Sequence, residues 1–148
     1  MHTLLEELVE VYQADASKKQ ITVSLDCPQE VYVAGDASYL HQVYQNLLTN
    51  AIKFSPLGKH VLISLHEDPS GQVEVVVKDE GPGLSEADKK KLFQHFAKLS
   101  AKPTGGESST GLGLTIVKKY VELMEGTIRC ESEPGQGAAF ITTFKQVA

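Results

Sequence analysis

Apolar residues recur at helical spacing through Leu4, Leu5, Leu8, Val11 and Tyr12, which predicts a first helix over about residues 4–19. The pattern then alternates as a strand over 21–25, closed by Pro28, and a short strand follows at 31–33. After Gly35-Asp36, a second helix is predicted over 37–54, with Leu40, Val43, Leu47, Ala51 and Phe54 on one face and Pro56 and Gly58 closing it. Strands at 61–65 and 73–77 flank the turn Asp68-Pro69-Ser70-Gly71, a hairpin signal, and the second strand runs straight into Asp79-Glu80-Gly81-Pro82-Gly83. Ser85 and Asp88 resemble a capping box opening a short helix that carries Leu92, Phe93 and Phe96. Residues 100–110 are nearly devoid of apolar side chains and read as a mobile loop. A last helix is predicted over 112–125, with Leu112, Ile116, Tyr120 and Leu123 along one stripe and Gly126 as its C-cap. Two final strands, 127–131 and 138–144, flank Glu133-Pro134-Gly135. Such an order favours an α+β sandwich with helices on one sheet face.

Length and charge narrow the classes. A chain of 148 residues fits one domain, spanning 1–148, and can bury roughly two-thirds of its unfolded surface. Cys27 and Cys130 lie far apart, without CxxC spacing or a histidine cluster, and read as ordinary small residues in a reducing compartment. No apolar run approaches the ~20 residues that span a bilayer, and the first residues lack the regions of a signal peptide, so a soluble, cytoplasmic domain without direct membrane contact is expected. The net charge of −5, with both signs interspersed, gives no footprint for nucleic acid or an anionic membrane. Any anion must be held locally.

Three features can carry chemistry. Asn46, Asn50 and Lys53 stand at i, i+4 and i+7, a polar stripe beside the apolar one. It is either a solvated face or a face on which an amide oxygen ligates Mg²⁺ and the lysine neutralises phosphate. Asp79 follows a run of valines and precedes Gly81 and Gly83. It either closes an ordinary Asx turn or offers a carboxylate to the exocyclic amine of adenine, where glycines let a flat ligand approach the backbone. Thr110-Gly111-Leu112-Gly113-Leu114 is either a plain loop-to-helix junction or a place where phosphates meet the exposed N–H groups of a helix start.

Taken in order, Asn46-Leu-Leu-Thr-Asn50-Ala-Ile-Lys53-Phe54, Asp79-x-Gly81-x-Gly83, Leu92-Phe93-x-x-Phe96 and Thr110-Gly111-Leu112-Gly113-Leu114 resemble the N, G1, F and G2 boxes of histidine kinase catalytic domains, members of the GHKL ATPase fold. The resemblance covers nearly the whole chain. It implies a two-layer sandwich of a mixed, mostly antiparallel sheet covered on one face by about three helices. It implies an ATP site with Asp79 on adenine, Asn50 on Mg²⁺, Asn46 and Lys53 near the phosphates, and Gly81, Gly83, Thr110, Gly111, Leu112 and Gly113 lining it, with a lid over roughly 97–110. Ser109 stands where a glycine is common. Ala97 replaces a frequent aromatic, and Lys98 stands where many relatives have arginine, so a γ-phosphate contact there is a point charge rather than a bidentate fork.

The implied partners are a histidine-bearing dimerisation domain and, downstream, a response regulator, in a parent that can be membrane-anchored. None of His2, His41, His60, His66 or His95 sits in the phosphoacceptor motif such kinases use, so the acceptor is expected on another domain and this module is expected to be monomeric. Gyrase- and MutL-like ATPases, and anti-sigma-factor serine kinases, carry a Glu at the position of Asn46, where it takes a proton from water or a hydroxyl. An imidazole is already nucleophilic near neutral pH, so Asn46 favours histidine as the acceptor. A regulatory module that binds ATP without transfer is the further alternative.

Overall fold

The computed structural model describes residues 1–27, 30–87, 113–133 and 135–147. Its elements are α1 (His2–Lys18), β1 (Thr22–Asp26), β2 (Tyr32–Val33), α2 (Ala37–Phe54), β3 (His60–Glu67), β4 (Gln72–Asp79), α3 (Gly113–Leu123), β5 (Thr127–Ser132) and β6 (Ala138–Val147). The expected short helix around Leu92, Phe93 and Phe96, and the loop over 100–110, lie outside the described residues.

Six strands form one mixed sheet in the order β1-β3-β4-β6-β2, with β5 also paired to β6. Among the described residues only β1 and β3 run parallel; the β3–β4, β4–β6, β5–β6 and β2–β6 ladders are antiparallel. The parallel pair is joined through α2, as a parallel pairing requires a crossover. Along β4, burial alternates with period two, so Val73, Val75, Val77 and Asp79 share the covered face. That face meets Val61, Ile63 and Leu65 of β3 and Phe140 and Phe144 of β6, and the helices close over it to complete the core. Among the described residues no helix is long and apolar enough to cross a membrane.

The second helix keeps its predicted bounds, and a side chain holds each end. Asp36 Oδ1 accepts from Ser38 N–H (2.8 Å) and Tyr39 N–H (3.4 Å), an N-cap. At the other end the buried Lys19 ammonium donates to the carbonyls of Ile52 (2.7 Å) and Lys53 (3.0 Å), placing a cation on the negative end of the helix dipole. Tyr44, Leu48 and Ile52 are buried in addition to the predicted stripe, because α2 packs against α1, α3 and the sheet at once. The Tyr44 hydroxyl pairs with Thr142 Oγ1 at 2.8 Å, satisfying both groups in the core.

Two expectations for the last helix are corrected. The core takes Val117 and Val121, whereas Ile116 and Leu123 are exposed (37% and 59%) and Tyr120 stacks on Tyr39 at 4.5 Å. The helix therefore turns its valine edge, rather than the predicted stripe, into the core, where it packs chiefly against α2. Its left-handed C-terminal residue is Glu125 (φ 59°), not Gly126. Glu125 N–H donates to Glu122 O (3.0 Å) and Gly126 N–H to Val121 O (2.9 Å), the paired bonds of a Schellman end. Gly126 is required for another reason: a Cβ there would meet the Phe144 ring and Thr143 O at 2.7 Å.

Candidate functional site

At the end of β4 the alternation delivers Asp79 into the layer between sheet and helices, where it is only 6% exposed. Burial pushes its carboxyl above the usual carboxylate range, opposed by backbone hydrogen bonds from Gly81 and Ala138. Both bonds end on one oxygen: Gly81 N–H and Ala138 N–H donate to Oδ1 at 2.8 and 3.2 Å. Among the described residues no donor reaches the second oxygen, Oδ2. An acceptor held by the backbone on one side and open on the other suits recognition of a donor on a ligand.

Asp79 lines a pocket with Asn50, Phe54, Pro82, Gly83, Leu84, Leu114, Ala138 and Phe140. The mostly apolar lining with a few polar groups is that of a small-molecule site. Asn50 comes from α2, Leu114 from the first turn of α3, and Ala138 and Phe140 from β6, so the pocket opens between the helical layer and one end of the sheet.

Glycines let the backbone close around Asp79. A Cβ on Gly81 would meet Phe54 O at 2.6 Å and Asp79 Oδ1 at 3.0 Å. Gly83 has φ +74°, and a Cβ there would fall 2.1 Å from Glu133 O. Gly137, also at φ +74°, packs against Asp79 O, where a Cβ would approach to 2.2 Å. Only glycine fits such positions without moving backbone.

Of the residues singled out from sequence, Asn50, Asp79 and Gly83 come together around the pocket, with Gly81 against Asp79. Asn46 and Lys53 flank Asn50 along α2, both partly buried, but do not line it. Gly113 begins α3. Lys98, Thr110, Gly111 and Leu112 lie outside the described residues, as does the proposed lid. Sequence reasoning missed Leu84, Gly137, Ala138 and Phe140. The Gly135-x-Gly137 spacing before the last strand was the available signal, but its proximity to Asp79 depends on the β4–β6 register, in which Lys78 pairs with Ala139.

Comparison with known proteins gives a consistent set of likenesses. Residues 35–148 match the family model described as histidine kinase-, DNA gyrase B-, and HSP90-like ATPase. The sensor-like histidine kinase SenX3 of Mycolicibacterium smegmatis is 34% identical over 138 residues, which cover 93% of this chain and 36% of that protein. The mycobacterial sensor histidine kinase MprB superposes with a TM-score of 0.85 at 27% identity, covering 99% of this chain and 94% of that one. Full-length ShkA in complex with AMPPNP superposes with a TM-score of 0.84 at 28% identity, covering 99% of this chain and 30% of that one.

Proposed function

Because this chain belongs to the histidine kinase-, DNA gyrase B-, and HSP90-like ATPase family, we propose that it is the ATP-binding catalytic domain of a sensor histidine kinase, serving a histidine on a separate dimerisation domain and, through it, a response regulator. The observation that carries the reading is the meeting of Asn50 and Asp79 in one glycine-walled pocket. The AMPPNP held by ShkA supports an adenine nucleotide as its ligand.

The residues present fit Mg-ATP. The open Oδ2 of Asp79 accepts the exocyclic amine of adenine; guanine has a carbonyl there, which leaves a buried charged acceptor unpaired at a cost of about 1–3 kcal/mol or more. Phe54, Leu84, Leu114 and Phe140 exclude water from the faces of the base. Asn50 supplies a neutral oxygen suited to Mg²⁺. Lys53, one turn further along α2, neutralises phosphate charge, and the motif resemblance alone assigns Lys98, Thr110, Gly111, Leu112 and Gly113 to the phosphate side. Bound Mg-ATP supplies an activated phosphoryl group whose transfer depends mainly on positioning and charge neutralisation.

Asn46 separates this reading from its alternatives. One turn before Asn50, it cannot take a proton from water or from a serine hydroxyl, whereas a neutral imidazole attacks with its own lone pair. A histidine acceptor therefore makes the least demand on position 46.

Incubation with γ-labelled ATP, Mg²⁺ and a histidine-bearing helical hairpin should place acid-labile phosphate on the hairpin. Asn50→Ala should remove most of the increment that Mg²⁺ adds to ATP affinity, while leaving metal-free binding nearly unchanged. Calorimetry with and without Mg²⁺ checks this. An unaltered metal increment would take Asn50 out of the metal site.

A further inference from the structure

The end of β5 contributes a side chain that is not among the pocket's lining residues yet bonds to two segments that wall the site. Ser132 Oγ accepts from Leu84 N–H at 2.9 Å and donates to Gly137 O at 2.6 Å. The Gly137 carbonyl and the Ala138 N–H are two ends of one planar peptide. That same Ala138 N–H donates to Asp79 Oδ1 at 3.2 Å. Turning this peptide about its flanking bonds moves both ends together, so the serine hydroxyl fixes the direction from which Asp79 is held.

Neighbouring contacts make the peptide sensitive to that hydroxyl. Gly137 sits at φ +74°, against Asp79 O, without a side chain to key it in place. Gly135 N–H donates to Pro82 O at 2.6 Å, so the β5–β6 turn is also tied to the loop carrying Gly83 and Leu84. Ser132 joins this turn, that loop and the Asp79 carboxylate into one hydrogen-bonded unit, in which each bond polarises the next.

We propose that Ser132 is a positioning residue for base recognition. It orients the Asp79 carboxylate through the Gly137–Ala138 peptide and fixes the Leu84 wall through its backbone N–H. The proposal rests on the reading of Asp79 as the contact to adenine. Its consequence is that nucleotide selectivity depends on a hydroxyl outside the pocket.

Calorimetric titration of the native chain and of Ser132→Thr, Ser132→Cys and Ser132→Ala with Mg-ATP and Mg-GTP tests it, with thermal melts in parallel. Threonine keeps the hydroxyl and suits a strand; cysteine keeps the volume with a much weaker donor and acceptor. The ratio of ATP to GTP affinity should be held by Thr, fall in Cys, and fall about three- to tenfold in Ala, the range for one lost hydrogen bond. If the alanine protein does not fold, the cysteine variant decides the question. A lowered melting temperature with an unchanged ATP-to-GTP ratio would make Ser132 merely structural and overturn the proposal. A native chain without ATP preference would overturn the reading of Asp79 and this inference with it. A native preference that survives in the cysteine and alanine variants would overturn this inference alone.

Discussion

Replacing Asp79 with Asn is expected to lower ATP affinity by about 10- to 100-fold, the range for losing a charged hydrogen bond in a buried site. The amide oxygen can keep the two backbone bonds from Gly81 and Ala138, which end on Oδ1. Its NH₂ group then faces the pocket and opposes the adenine amine donor to donor. Affinity for GTP should change far less, since the guanine carbonyl gains a donor.

Stability should move the other way. Burial raises the Asp79 carboxyl above its ordinary range, so its contribution to stability is fully present at pH below its unfolded-state pKa and is lost as pH rises through its folded value. At neutral pH the native chain therefore carries the cost of a buried carboxylate that the neutral Asn variant does not. The ligand-free variant should melt at or above the native temperature and show less loss of stability as pH rises from acid to neutral. A variant that both melts well below the native chain and keeps its preference for ATP would show that Asp79 supports the fold rather than the base.

The largest effect on the folded state is expected from Gly137→Ala. The new Cβ would lie 2.2 Å from Asp79 O at a residue with φ +74°, combining left-handed strain with a collision against backbone at a cost of about 2–4 kcal/mol. For a domain of this size that is a fall of roughly 5–15 °C in melting temperature. Because the displaced atoms belong to Asp79, ATP affinity should fall as well. Gly135→Ala is the control: φ is +80° there, but nothing lies within 4 Å of the added methyl, so only the strain of about 1 kcal/mol applies. Equal shifts in the two variants would mean that close packing on Asp79 does not matter.

What sequence reveals here follows the range of the interactions. The second helix was legible to its ends because its N-cap, Asp36, and its terminator, Pro56, are local. The placement of Asp79 at the buried end of a strand was legible because the valine alternation before it and the glycines after it are all within a few residues. The parallel pairing of β1 with β3 and the contribution of β6 to the pocket were not, since both depend on partners far along the chain. The orientation of the last helix was misread for a different reason: Ile116–Tyr120 and Val117–Val121 are adjacent i, i+4 rows of apolar residues, and packing against α2, distant in sequence, decides which is buried. Ser132 looked like any polar residue at a strand end. Its role depends on Leu84, a 48-residue separation.

The partition of the ATP γ-phosphate between water and imidazole tests the central claim most directly. The unmodified chain should be given labelled Mg-ATP with and without a histidine hairpin from its own parent or a close relative, following inorganic phosphate and acid-labile protein phosphate together. With Asn46 in place of a proton acceptor, release of phosphate to water should be very slow, and label should accumulate on the hairpin histidine. Rapid release of inorganic phosphate, with none on the hairpin, would contradict the account and place the chain among the hydrolases of its family.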